Sequence, residues 1–318
     1  MSTPGEGMIE RRLEGRVAIV TGGGGGIGRA HALELAQMGA AVVVNDYGGS
    51  VEGRGSDASA AAGVVDLIVG NGGRAVADAG DVGCWSDAEG LVERALRHFG
   101  KLDILVNNAG ILRPKTIVGM SEDEMASVIR VHLLGSFATT HFAGVHWRGR
   151  FKSDGTGGGR LINTTSASGL FGIGQANYTA AKAAIAGMTQ VAAAEFARYG
   201  ATANAISPIA LTRMSGGIAP ENFTSDHVAR LAGWLATDSA AAITGRIFQV
   251  GGGHISIVDG WHVGRGADCA EGWSLAQLDR AIPDLVESSA PRSDIMGYRF
   301  GDTRSPLLPD IELPNFGW

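Results

Sequence analysis

Cysteine, lysine and long apolar runs are all scarce in this sequence of 318 residues. Its two cysteines, Cys84 and Cys269, are too few for a disulfide framework or a zinc-ribbon site, and no metal site is expected. The apolar stretches fall far short of the roughly 20 residues that a membrane helix needs. Residues 1–12 lack the apolar centre of a signal peptide. These absences predict a soluble cytoplasmic protein with reduced thiols and no membrane association.

Basic side chains are also fewer than acidic ones, 26 against 32, which gives a formal net charge of −6. Nucleic-acid binding needs a basic surface, so a nucleic-acid partner is not expected. Hydrophobic residues make up 45% and charged residues 18% of the chain, which excludes a disordered protein. Only four positions are lysine, namely Lys101, Lys115, Lys152 and Lys182. A lysine in so arginine-rich a chain is a stronger candidate for a specific role.

Glycine, by contrast, is abundant at 50 residues, but it forms short runs without the three-residue period of collagen. Buried-strand patterns are predicted at 17–20, 41–45, 74–78, 104–107, 160–164, 202–207 and 246–250. Helical patterns between them are predicted at 27–38, 56–69, 87–99, 122–145 and 178–199. Apolar strands that alternate with helices predict an α/β fold with a doubly wound parallel sheet of Rossmann type and seven strands. We expect one such domain over 14–260.

Shorter segments flank that domain, an N-terminal one over 1–13 and a C-terminal extension over 261–318. The extension contains five prolines and one predicted helix over 274–282. It also carries large aromatic residues at Trp261, Trp273, Phe300, Phe316 and Trp318. So many exposed aromatics would promote aggregation, so they are expected to pack. The packing partner is either the sheet edge or the wall of a substrate cleft.

A glycine turn joins the first strand to the first helix. Gly22, Gly26, Ile27 and Gly28 lie in the segment TGGGGGIG, where glycine lets the backbone approach a pyrophosphate and the helix N-terminus offers free N–H groups. The alternative is a flexible loop, but the flanking strand and helix favour a dinucleotide site.

Asp46 ends the second strand, where a carboxylate can accept the ribose hydroxyls of NAD and repel the 2′-phosphate of NADP. The alternative is a helix-capping aspartate. Arg54 in the next loop could offset the repulsion. NAD is therefore the expected cofactor.

Tyr178 and Lys182 stand four residues apart, which places them on one face of a helix. A phenol has a pKa of about 10, and a nearby ammonium together with a cationic nicotinamide ring would favour the phenolate. Ser166, at the end of the fifth strand, can hydrogen-bond the same substrate oxygen, and Ser168 is the competing candidate. This pattern indicates a general base with its two supporting groups.

These motifs together resemble the classical short-chain dehydrogenase/reductase family over residues 14–260. The resemblance implies that Ser166, Tyr178 and Lys182 are catalytic. It implies that Tyr178 and Lys182 also contact the cofactor, Lys182 at the nicotinamide ribose, and that further cofactor contacts lie at Asp81, Val82, Asn108, Ala109, Gly110 and Thr212. Three departures stand out. His132 occupies a position that is usually Asn, the spacing from Ser166 to Tyr178 is one residue shorter than usual, and Ile209 follows Pro208 where glycine is common. His132 is either part of a proton relay or a packed core residue.

Within that family, the phrases VVVNDYGG, VHLLGSF and GQANY are similar to the (3R)-hydroxyacyl-CoA dehydrogenase domain of the D-specific multifunctional β-oxidation enzymes. The resemblance implies NAD-dependent interconversion of 3-hydroxyacyl-CoA and 3-ketoacyl-CoA. A hydroxysteroid or other alcohol dehydrogenase, and a non-catalytic NAD-binding regulator, are the alternatives. Arg113, Lys115 and Arg213 are candidates for the phosphates of coenzyme A. The family also implies a homodimer or homotetramer built on the helices at 122–145 and 178–199.

Overall fold

A single eight-stranded sheet forms the centre of the computed structural model, which describes residues 11–172, 174–212, 222–259, 266–270 and 272–288. The strands are β1 Val17–Thr21, β2 Ala41–Asn45, β3 Arg74–Asp78, β4 Ile104–Asn107, β5 Arg160–Thr164, β6 Thr202–Pro208, β7 Ile247–Gly251 and β8 His254–Ile257. Their order is β3-β2-β1-β4-β5-β6-β7-β8, and every neighbouring pair is parallel except β7 with β8. The chain crosses from β3 back to β4 beside β1. This crossover creates the switch point at which α/β sheets bind ligands.

Helices cover both faces of the sheet. They are α1 Gly26–Gln37, α2 Ser59–Gly70, α3 Trp85–Phe99, α4 Glu122–Ile129, α5 Gly135–Asp154, α6 Ala167–Phe171, α7 Ala176–Phe196, α8 Ser225–Leu235 and α9 Leu275–Glu287. Alternate residues of β1 point to opposite faces, so Ala18 and Val20 pack with α1, α2 and α8, whereas Val17 and Ile19 pack with α3, α5 and α7. Two apolar layers therefore enclose the sheet, as the continuous apolar strands predict.

The seven predicted parallel strands are confirmed, but the expectation of a seven-stranded sheet is wrong by one strand. β8 has only four residues and lies antiparallel at the sheet edge, where Ile255 and Ile257 remain about half exposed. Gly252 and Gly253 form its turn with φ of +55° and +83°. A short, half-exposed strand lacks the apolar run that identified the buried strands.

The predicted helix at 122–145 is interrupted and ends later than expected. A capping box between Ser121 and Glu124 starts α4. A π-helical turn, Arg130–Leu134, then separates α4 from α5, and α5 continues to Asp154 before Gly155 ends it at φ +71°. Such turns frequently occur at functional sites, and this one contains His132.

The segments that flank the sheet are described only in part. Leu13, assigned to the N-terminal segment, is 1% exposed and belongs to the core. The predicted helix at 274–282 is present and extends further as α9, none of whose side chains is buried. Of the tail aromatics, Trp273 is 39% exposed and the other four lie outside the described residues. Within the described part of the chain, no helix has both the length and the apolar character to cross a membrane.

Candidate active site

The glycine turn opens onto a cleft at the carboxyl edge of β1, β2 and β4. Gly22, Gly26, Ile27 and Gly28 all line this cleft. A Cβ on Gly28 would lie 1.9 Å from the carbonyl oxygen of Gly22, so the turn closes too tightly for any side chain there. Helix α1 begins immediately beyond the turn, and no side chain of the described residues caps its first amides. These amides fit the pyrophosphate of a dinucleotide.

The start of the segment after β4 holds the glycine turn in place. Asn108 donates from Nδ2 to the carbonyl oxygens of Thr21 (3.0 Å) and Gly22 (3.2 Å). In return, the hydroxyl of Thr21 accepts from the backbone N–H groups of Asn108 and Ala109 at 2.9 and 3.1 Å. Asn108, Ala109 and Gly110 line the cleft, where the resemblance predicts them. Thr212 faces Gly26 across the same cleft.

Two carboxylates line the same cleft. Asp46 accepts from the backbone N–H of Gly24 at 2.8 Å and of Gly48 at 2.7 Å, so its orientation is fixed from two sides. Asp81 accepts from Arg130 at 2.6 Å and lies beside Val82. The predicted cofactor residues other than Tyr178 and Lys182 therefore line one cleft, and their individual roles stay predictions.

The predicted catalytic side chains are also brought together. Tyr178 and Lys182 lie one turn apart on α7, and the Lys182 Nζ is 5.7 Å from the centre of the Tyr178 ring. Lys182 donates to the carbonyl oxygen of Thr164 at 2.6 Å, which ties α7 to the end of β5. Ser166 follows β5 and accepts from the N–H of Ser168 at 3.3 Å. Its side chain lies close enough to Tyr178 to lower the tyrosine pKa, so of the two serines Ser166 is the one that acts on the tyrosine.

Burial dominates the protonation of this group. It raises the pKa of Tyr178, and the hydrogen bond from Ser166 offsets only part of that rise. Burial also lowers the pKa of Lys182 to about 7. Burial outweighs the protein groups around Tyr178, and the expectation that Lys182 together with the cationic nicotinamide favours the phenolate stays a prediction. A desolvated ammonium is itself partly deprotonated at neutral pH and offers less charge to the phenol.

His132 is packed edge-on against the Tyr178 ring, with the ring centres 5.2 Å apart. Its Nε2 lies 3.0 Å from the N–H and 2.8 Å from the carbonyl oxygen of Ile111, while Nδ1 has no hydrogen-bond partner among the described residues. Burial, followed by the charge of Lys182, lowers the pKa of His132 to about 3. The imidazole is therefore neutral at physiological pH, and both the relay and the packing role stay open.

The sequence interpretation missed one part of the site, the loop over residues 47–57 between β2 and α2. Several of its residues line the cleft, and Arg113 donates to its Glu52 carbonyl oxygen at 2.9 Å and to Asp123 at 2.8 Å. Arg113, a candidate for coenzyme A phosphates, lines the same cleft, and these two bonds use two of the five N–H donors of its guanidinium. Lys115 is exposed and Arg213 lies outside the described residues. Glycines at both ends of the loop were the available signal.

Comparison with known proteins agrees with this geometry. A family model described as short chain dehydrogenase matches residues 16–222. The match covers most of the sheet, the glycine turn and the Ser166, Tyr178 and Lys182 group. The chain belongs to the short-chain dehydrogenase family, whose members are oxidoreductases that act on CH–OH groups and generally bind NAD or NADP.

Particular relatives are more informative. Hydroxyacyl-CoA dehydrogenase ChsB1 of Mycobacterium tuberculosis is 40% identical, over 88% of this chain and 91% of its own length. Peroxisomal multifunctional enzyme type 2 of Mus musculus is 42% identical over 77% of this chain, which spans only 32% of that enzyme. The crystal structure of a short chain dehydrogenase from Mycobacterium avium is 47% identical, with a TM-score of 0.81 over 88% of this chain and 98% of that chain.

Proposed function

We propose that this protein is an NAD-dependent dehydrogenase that oxidises a (3R)-3-hydroxyacyl-CoA to the 3-ketoacyl-CoA. The observation that carries the proposal is the grouping of Ser166, Tyr178 and Lys182 beside the cleft, where Tyr178 packs against an apolar cluster that includes Ile111 of the cleft lining. The substrate class is supported by the hydroxyacyl-CoA dehydrogenase that is similar over nearly its whole length. The cofactor preference is supported by Asp46 at the end of β2.

Each side chain has a distinct task in this reaction. The Tyr178 oxygen takes the hydroxyl proton of the substrate as the carbonyl forms. Ser166 donates a hydrogen bond to the same substrate oxygen and holds it beside the tyrosine. Lys182, fixed by the Thr164 carbonyl oxygen, supplies positive charge next to the phenol. When bound, the nicotinamide accepts the hydride from the carbinol carbon, and its cationic ring favours the phenolate.

The substrate class is tested by measuring NADH formation with a series of (3R)-3-hydroxyacyl-CoAs, their (3S) isomers and free hydroxysteroids. We expect the highest kcat/KM with a (3R)-hydroxyacyl-CoA. A preference for free hydroxysteroids would replace the proposal with the alcohol dehydrogenase alternative. Cofactor binding without turnover of any secondary alcohol would favour a regulatory protein.

We also propose a cellular location and an oligomeric state for the protein. The cytoplasmic location rests on the sequence features given above, and several relatives carry the word peroxisomal in their names. A homodimer or homotetramer is supported by exposed apolar side chains on α5 and α7, among them Val145 at 57% and Val191 at 58% exposure. Fractionation of cells and light scattering test these two features separately from the reaction.

A further inference from the structure

The loop over residues 47–57 is closed at its base and ordered inside. The N–H of Asp57 donates to the Tyr47 carbonyl oxygen at 3.1 Å. Gly48, at φ +73°, lies so close to Asp57 that a Cβ would come within 2.0 Å of the Asp57 carbonyl oxygen. Within the loop, Gly53 donates to Ser50 and Ser50 donates to Arg54, each at 2.8 Å. The loop is therefore a compact unit that can move as one body.

Two hydrogen bonds and an apolar contact join the loop to the segment after β4. The N–H of Leu112 donates to the Val51 carbonyl oxygen at 2.8 Å, and the Arg113 Nε donates to the next carbonyl, that of Glu52, at 2.9 Å. Ile111 reaches within 3.0 Å of the position that a Cβ of Gly53 would occupy. The loop thus crosses from β2 to the far wall of the cleft.

Arg113 is the side chain that joins this loop to α4. Its guanidinium donates through Nε to the loop and through Nη1 to Asp123 on α4. The backbone carbonyl oxygen of Arg113 accepts from Asn177 at 3.0 Å, which fixes the start of the side chain from α7. The Arg113 side chain is only 18% exposed, whereas that of Asp123 is 80% exposed. Both hydrogen bonds of the guanidinium lie near the surface, but the arginine side chain itself is largely covered.

The loop borders the end of the cleft where Asp46, Asp81 and Val82 stand. Gly48, the second residue of the loop, donates from its backbone N–H to the Asp46 carboxylate. We propose that Arg113 is a positioning residue that holds the 47–57 loop over the ribose end of the cofactor cleft and so limits the rate at which the dinucleotide leaves. The proposal rests on the proposed dinucleotide site but on neither the substrate nor turnover.

The first test follows the loop in the protein without cofactor, by hydrogen–deuterium exchange and mass spectrometry. Arg113→Ala should speed exchange in peptides that cover 47–57 and 111–113, while peptides of β1 and α1 exchange as in the wild type. Arg97→Ala is the matched control, because it removes an exposed guanidinium from α3, outside the cleft lining. Unchanged exchange in the loop of Arg113→Ala, or equal changes in both variants, would overturn the proposal.

The second test measures NADH dissociation by stopped-flow fluorescence. Arg113→Ala should raise the dissociation rate about tenfold, and Arg113→Lys should give a smaller rise because an ammonium lacks the planar fork. Asp123→Asn should change the rate by less than about twofold, since an exposed ion pair contributes little. A rate in Arg113→Ala within about twofold of the wild type would contradict the positioning role.

The two tests together separate the positioning role from direct binding. If Arg113 instead touched a phosphate of the cofactor, its removal would raise the dissociation rate but leave exchange of the cofactor-free loop unchanged, and the proposal would fail. If the protein prefers NADPH, the same measurements are made with NADPH, so an error in the cofactor assignment leaves the test of Arg113 intact. Neither measurement depends on which alcohol is oxidised.

Discussion

Gly110 provides the space that His132 occupies. A Cβ on Gly110 would lie 2.2 Å from Cε1 of the imidazole, and the ring is held on its other side by Tyr178 and by the backbone of Ile111. The imidazole ring therefore cannot move away from Gly110 without displacing Tyr178. Gly110 is therefore required because a side chain there would collide with His132, in addition to any contact that it makes with a cofactor.

A double-mutant cycle tests this relation. We expect Gly110→Ala to lower the free energy of unfolding by about 1–3 kcal/mol because the methyl group overpacks the site. In the His132→Asn protein, Gly110→Ala should lower the free energy of unfolding by at least about 1 kcal/mol less than it does in the wild type, as measured by chemical denaturation. Gly63→Ala on α2, where no atom lies within 4 Å of a Cβ, is the control and should be neutral or stabilising. Additive effects would contradict the contact.

Tyr178 carries the sharpest prediction for the reaction. Tyr178→Phe removes the oxygen that takes the proton and should lower kcat by about 10²–10⁴ while leaving the NADH dissociation constant within about twofold. Tyr199→Phe, at the C-terminal end of the α7 segment, is the control and should keep wild-type turnover. Near-normal kcat in Tyr178→Phe would exclude the tyrosine as general base.

At the scale of elements, the local sequence pattern predicts the buried parts of the fold well. The seven parallel strands and five helical segments between them follow from apolar runs and helical spacing. The predicted catalytic side chains meet because α7, which carries Tyr178 and Lys182, is tied to the end of β5 just before Ser166. The pattern misses β8, the π-helical turn Arg130–Leu134, and the helices α6 and α8. β8 is held by a neighbouring strand at an exposed edge, so its short segment carries no buried-strand signal. The partners of Arg113 are also non-local and could not be read from spacing.

The junction of β2 with its following loop allows a prediction on the cofactor. The wild type should prefer NAD to NADP, because the Asp46 carboxylate faces the ribose end of the cleft. Asp46→Asn removes the charge and one of the two hydrogen bonds that the carboxylate accepts, and should narrow the NAD preference by about tenfold in kcat/KM. Asp66→Asn, on the exposed side of α2, makes the same charge change and should leave the preference unaltered. A wild type that prefers NADP would contradict the role given to Asp46.

For the whole molecule, exposed apolar side chains indicate where copies associate. Val191 on α7 is 58% exposed, and Val69 on α2, on the other face of the sheet, is 53% exposed. We expect a dimer or tetramer in light scattering at micromolar concentration. Val191→Arg should shift the equilibrium between oligomer and monomer toward the monomer, because the substitution would bury a charge at the interface. Val69→Arg should leave this equilibrium unchanged. A monomeric wild type would contradict the assembly.

Acid should destabilise the molecule through its buried histidines. Burial lowers the pKa of His31 to about 4 and that of His132 to about 3, whereas both titrate near 6.5 when unfolded. The unfolded chain therefore binds more protons below pH 6.5, so stability falls as the pH drops from 6.5 toward 4.

Each buried histidine should contribute a loss of about 1.4 kcal/mol per pH unit in that window. Denaturation at pH 6.5 and 5 should show a smaller loss in His31→Gln than in the wild type. Burial raises the pKa of Glu34, which acts in the opposite direction, but both proteins share that carboxyl. An identical pH dependence in the two proteins would show that His31 is protonated when folded.

The antiparallel direction of β8 decides where the chain leaves the domain. β1 begins at the amino edge of the sheet, and β8 runs back from His254, beside Gly251 at the carboxyl end of β7, to Ile257, beside Phe248 near the amino end of β7. Entry and exit thus share one side, and the cofactor cleft opens on the other. A domain with this geometry can be built into a longer polypeptide at either end without obstructing its own catalytic opening. That property is consistent with the mouse multifunctional enzyme, where the matching region is about a third of the chain.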